Sequence, residues 1–194
     1  MRTTKTLSSM ALLCLLGSAY AGLAEETCSK LEGAAGQKLM EYLQRDRAGL
    51  EPRCILYALD RLGDRPFAPA AKTLVGYLDT PPWRTDIGGV LHDVTGRTMF
   101  YPAVVALSGI GEPAVPALID AIGGSDLSET ARKNAVQALQ FIHGGEISQA
   151  IGVLVRASRA AKDPVVSGRL LDTAREAAAR CPNPLKDACQ RSLQ

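Results

Sequence analysis

Aromatic residues make up only 5% of the 194 residues, with one tryptophan, and there are only two histidines. So few rings cannot supply the stacking platforms on which single-stranded nucleic acid is held. His92 and His143 stand far apart in the chain and no close C-x-x-C pair accompanies them, so the spacing of a zinc site is missing. Charge of one sign is lacking too, with 22 Lys and Arg against 20 Asp and Glu. Loss of the first 21 residues would remove Arg2 and Lys5 and leave the two signs equal. A neutral chain has no basic footprint for nucleic acid or for an anionic membrane surface, and neither is expected as a partner. Beyond the N-terminus no stretch approaches the roughly 20 apolar residues that a membrane-spanning helix needs, and the mature chain is not expected to insert into a bilayer. No cofactor is implied.

The N-terminus carries an export address. Arg2 and Lys5 form a short basic region, Met10 to Leu16 an apolar core, and Ala19-Tyr20-Ala21 the small-x-small pattern of a cleavage site. Cleavage is expected after Ala21, into the periplasm or the extracellular space. Cys14 is preceded by Leu12-Leu13 within the apolar core, without the small residue that a lipid-attachment site would place there.

The rest of the chain repeats. Ala103, Ala106, Leu107 and Ile110 recur 32 positions later as Ala135, Ala138, Leu139 and Ile142, and again as Ser167, Leu170, Leu171 and Ala174. The i, i+3, i+4, i+7 spacing is one stripe of an α-helix. Val115, Leu118, Ile119 and Ile122 map by the same shift onto Ile147, Ala150, Ile151 and Leu154, so each unit is a helical hairpin. A shift of 48 in the other direction finds Ile55, Ala58, Leu59 and Leu62, then Phe67, Ala70, Ala71 and Leu74. An earlier unit is therefore followed by an insertion of 16 residues. Leu107, Ile119 and Leu139 are expected in the core. Sustained period-2 alternation, which strands would require, is absent.

Punctuation agrees with this register. Pro52 and Pro102 stand near helix starts, where a missing amide hydrogen is harmless. Gly63, Gly111 and, slightly later in its unit, Gly144-Gly145 read as C-terminal caps. Asp126 with Glu129 offers a capping-box-like start for the helix ending at Ile142, and His143 reads as a cap at its end.

The stretch ALSGIGEPAVPALIDAI, Ala106 to Ile122, resembles the HEAT-like repeats found in phycobilisome lyase-type proteins, with Leu107, Gly111, Pro113, Pro116 and Leu118 at the recurring positions. ALDRLGDRPFAPAAKTLVGYL, Ala58 to Leu78, looks like a second copy; the third unit lacks the proline and the fourth keeps only its first helix. The resemblance covers about residues 53–178. It implies an all-α fold, an α-solenoid of about three to four HEAT-like hairpins with capped ends, used as a binding surface for another protein. A lyase-like or small-molecule-handling enzyme is the alternative that the same resemblance implies. The expected organisation is a signal peptide (1–21), an N-terminal capping helix region (22–52), a repeat array (53–179) with its insertion at about 80–99, and a C-terminal cap (180–194).

With Cys14 removed, Cys28, Cys54, Cys181 and Cys189 remain, an even number in an oxidising compartment. Three pairings are possible. The ends of an extended stack lie apart, which favours the local pairs Cys28 with Cys54 and Cys181 with Cys189. Cys181-Pro182-Asn183-Pro184 reads as a helix stop and an Asn-capped short helix that returns Cys189 towards Cys181.

Functional side chains concentrate in the insertion, which holds Trp83, Arg84, Asp86, His92, Asp93 and Arg97. Tryptophan and arginine are the anchors that dominate protein interfaces, and these six residues are the candidate binding site. The alternative is that Trp83 covers a repeat junction while the charges are merely solvated. No catalytic residue is assigned, because His92 and Asp93 are adjacent, rarely point at each other and have no nucleophile in a recognisable motif.

Overall fold

The computed structural model describes residues 28–81 and 101–194, and the described residues are helical without strands. Their helices are α1 (Gly36–Leu43), α2 (Pro52–Asp64), α3 (Ala71–Val75), α4 (Pro102–Ile110), α5 (Val115–Gly123), α6 (Glu129–Ile142), α7 (Ile147–Ala160), α8 (Pro164–Ala179) and α9 (Lys186–Arg191). No single helix among the described residues is long and apolar enough to cross a membrane.

The apolar stripes face inward. Leu59, Leu62, Leu74, Leu107, Leu118 and Leu139 are all fully buried, each stabilising the fold by roughly 1.5 to 3 kcal/mol through removal of its side chain from water. Ile119 departs from its expected place: it is only partly buried, because α5 turns the far edge of its stripe towards solvent.

Helix ends follow the local chemistry of the sequence. Pro52 and Pro102 are the first residues of α2 and α4, as expected. Gly111 caps α4 at φ 75°, a left-handed conformation that side chains disfavour, and Gly144 and Gly145 have φ of 69° and 88°. Gly63 does not cap; it lies inside α2, where a Cβ would stand 3.4 Å from Val105 Cγ1 and 3.7 Å from the Ala106 amide nitrogen. A methyl group there would make ordinary van der Waals contact with α4, so the position faces the α2–α4 junction. Helix α6 starts two residues later than expected: Ser128 is its N-cap, with Oγ accepting from the Ala131 amide at 3.1 Å, and Asp126 instead accepts from Ser125 Oγ. Nor does Asn183 cap α9, which begins after Leu185 without a side-chain cap.

Packing joins α2 to α4 and α4 to α6 in one row, and α3 to α5 in a second. Helices α2, α4 and α6 are the first members of successive sequence units, so the row reproduces the register. The second row changes at the third unit. The period would bring α7 against α5, yet the main neighbour of α5 on that side is α8, while α7 packs on α6 and most extensively on α8. Gly123 explains the preference for α8. A Cβ there would meet Val166 Cγ1 at 2.7 Å, and the Gly123 carbonyl accepts from Arg169 Nη1 at 3.1 Å. Ser158 and Ser167 then tie α7 to α8 by reciprocal hydroxyl-to-carbonyl bonds of 2.9 Å.

Both ends are crosslinked as the local pairing anticipates. Cys28 joins Cys54 with a Cα separation of 5.2 Å, and Cys181 joins Cys189 at 6.5 Å. Two disulfides are consistent with an oxidising compartment.

Candidate functional site

The segment after α3 ends in a turn, Gly76 to Thr80, that is fastened from three directions. Arg47 Nη1 donates to the Gly76 carbonyl at 3.1 Å and to Asp79 Oδ1 at 3.2 Å, and Nη2 donates to Thr80 Oγ1 at 3.0 Å. The same guanidinium lies 4.9 Å from the centre of the Tyr77 ring. Tyr77 is buried, and its hydroxyl donates to the Leu43 carbonyl at the end of α1 at 2.7 Å. Burial pushes the Tyr77 phenol above its ordinary value, partly offset by Arg47. From the other side Asn134, a buried amide on α6, donates Nδ2 to the Leu78 carbonyl at 2.6 Å. The carbonyl of buried Leu78, which would otherwise be costly to bury, is thus satisfied by a side chain from α6, while Arg47, from the segment between α1 and α2, holds the exposed Gly76 carbonyl.

Beside this turn, α3 and α5 line a groove of about 650 Å³, closed at one edge by the segment joining α5 to α6. Its walls are mainly small and apolar, among them Pro69, Val75, Pro116, Ala117 and Leu127. Lys72, Asp79, Asp120 and Asp126 supply the charge. Asp79 is already paired with Arg47, whereas Asp120 has no ion-pair partner among the described residues. The groove has the size and the mixed lining of a ligand site, with an apolar majority and a few polar groups to fix orientation.

Trp83, Arg84, Asp86, His92, Asp93 and Arg97, the candidates read from the sequence, lie outside the described residues. What the structure provides is the position of their flanks. The described chain stops at Pro81, one residue past the clamped Thr80 and two past the groove residue Asp79, and resumes at Tyr101, the N-cap of α4. His143 is the C-cap residue of α6, as expected, and its Nδ1 stands 3.4 Å from Glu112 Oε1 in the segment between α4 and α5. Among the described residues no group of three or more His, Cys, Asp or Glu side chains is placed to hold a metal ion.

Sequence reasoning missed the groove, and it missed Arg47 and Asn134. One signal was available: Asn134 occupies an inward position between Ala131 and Ala138, where a polar residue needs a buried partner. Arg47 gave no such signal, because its partners lie more than 25 residues away in the sequence. Comparison with protein-family models, with curated proteins and with solved structures finds no match.

Proposed function

We propose that this chain is an exported scaffold, a short HEAT-like α-solenoid with disulfide-closed ends that binds a partner polypeptide in the periplasm or extracellular space. The observation that carries this reading is the α3–α5 groove beside a clamped turn. A preformed apolar concavity between second helices of consecutive hairpins is the kind of surface that helical repeats offer to extended ligands. The clamp adds a rigid root for the 82–100 segment, whose Trp83 and Arg84 belong to the residue types that anchor interfaces. Export is supported by the N-terminal pattern ending at Ala21 and by the two disulfides.

The test is capture from the native envelope by crosslinking, with the wild type compared with Ala117→Trp and Lys72→Trp, which obstruct the two walls of the groove. A defined polypeptide retained by the wild type and lost from both variants, at unchanged helicity, is the expected result. Identical capture by all three proteins, or retention of a small molecule alone, would refute it.

A further inference from the structure

The charge in the groove is unevenly placed. Asp120 lies in the last turns of α5, Asp126 follows its C-terminus and Asp79 follows that of α3, while Gly76 and Gly124, the C-caps of these helices, also line the groove. Carboxylates and the carbonyl ends of two helices therefore meet in one concavity. Helix C-termini attract cations, and so do unpaired carboxylates. Arg47 already serves Asp79 and the Gly76 carbonyl, and Arg169 the Gly123 carbonyl at the end of α5, which shows the chemistry these ends accept and leaves the carboxylates of Asp120 and Asp126 as the attraction for a further cation. Among the described residues no such arginine reaches Asp120, and Asp126 accepts from the neutral hydroxyl of Ser125. Among the described lining residues Lys72 is the one cation. Apart from Ser128 and the two glycines, the rest of the wall is proline, alanine, valine and leucine, which offers contact to aliphatic side chains but few hydrogen bonds.

Building on the scaffold reading, we propose that the groove selects an extended partner segment that carries a lysine or arginine among small apolar residues, with the cation at Asp120 and Asp126. A segment of this composition would place its aliphatic side chains on Pro69, Pro116 and Ala117 and its charge beside Asp120, which has no ion-pair partner among the described residues. An acidic segment would meet the carboxylates of Asp120 and Asp126.

Fluorescence polarisation with three labelled decapeptides of proline, valine and leucine tests this, one carrying two lysines, one two glutamates and one two glutamines at the same positions. The lysine peptide is expected to bind about three- to tenfold more tightly than the glutamine peptide, with the glutamate peptide weakest, and the gap should close as salt is raised. Asp120→Asn with Asp126→Asn should erase the preference while leaving the glutamine peptide's affinity in place. Both residues are on the surface, so folding should be unaffected, and a matching far-UV spectrum checks this. Equal binding of all three peptides, or a preference that survives the double substitution, overturns the inference. Binding without preference that Ala117→Trp nonetheless abolishes would overturn the cation selection and leave the scaffold reading standing. If no peptide binds, the cation selection is also overturned, and the envelope capture with Ala117→Trp decides separately whether the scaffold reading falls with it.

Discussion

Tyr77→Phe isolates one bond of the clamp without opening a cavity. The ring stays, so packing against α1 is kept, but the Leu43 carbonyl loses its 2.7 Å donor at the buried end of that helix. Removing one partner of a buried hydrogen bond costs about 1 to 2 kcal/mol, more than the net worth of an exposed one. For a domain of this size that lowers Tm by roughly 2 to 8 °C near neutral pH, read by circular dichroism. The pH dependence gives an independent check. Burial raises the Tyr77 phenol above the ordinary value of 10, so the folded state holds its proton more tightly than the unfolded chain does. That contribution is complete below pH 10 and is lost as the pH rises from 10 through the folded-state value, because the unfolded state ionises first. Tyr42, also raised by burial, acts with the same sign, so the variant should show a shallower alkaline decline without abolishing it. An unchanged Tm at neutral pH together with an unchanged alkaline limb would refute the clamp.

The remaining predictions address packing, crosslinks and the insertion. Leu139→Ala, at a fully buried position, should cost about 2 to 5 kcal/mol by urea unfolding, whereas Lys133→Ala, a half-exposed partner of Glu129, should cost well under 1 kcal/mol; equal urea midpoints would show the register to be wrong. Gly123→Leu should destabilise by about 1 to 3 kcal/mol because the added Cβ meets Val166 at 2.7 Å, and unchanged stability would contradict the close approach of α5 and α8. Without reductant none of Cys28, Cys54, Cys181 and Cys189 should be alkylated; removing the pair 26 residues apart should cost roughly 3.5 kcal/mol against roughly 2.5 for the pair 8 apart, and a reversed order would count against loop-closure entropy as the cause. Replacing Pro81 to Arg97 by a short Gly-Ser turn should leave cooperative unfolding intact but weaken partner capture, with Trp83→Ala reproducing much of the loss; a lower Tm with unchanged capture would assign the segment to packing.

The helices and their inward faces were legible because period and punctuation are local properties. A stripe such as Ala103, Ala106, Leu107 and Ile110 states both a helix and its buried side, and Pro102 marks where it begins. Errors arose where two local signals competed or where a neighbour decided the matter. Ser128 and Asp126 can each cap a helix, and only the bond to the Ala131 amide shows which one does. Gly63 carried the composition of a cap, but the helix continues one residue past it, to Asp64. The place of α8 beside α5 was hidden because Gly123 and Val166 are contacts between units, and a repeat register describes each unit as if its neighbours were equivalent.

The groove lay beyond sequence reasoning for a related reason. Its acidic residues stand in the last turn of α5 or in the segments that follow α3 and α5, and each looks solvated taken alone. Asp79 is informative only with Arg47, 32 residues earlier, and the Gly76 to Thr80 turn only with Asn134, whose partner Leu78 lies 56 residues before it. What the sequence did show was the break in period, and the structure shows that the break begins where three parts of the chain converge on one turn. The convergence has a mechanical consequence. Arg47, Tyr77 and Asn134 tie that turn to the α1–α2 region and to α6, so a ligand seated in the groove beside it pushes against a braced wall. Little backbone ordering is then left to oppose binding, and preorganisation of this kind converts contact into affinity. Loosening the brace by Asn134→Ala should therefore weaken a groove-bound ligand even though Asn134 Nδ2 is spent on the Leu78 carbonyl. A ligand whose affinity survived that change at a temperature well below Tm would show that it depends on the groove's chemistry alone.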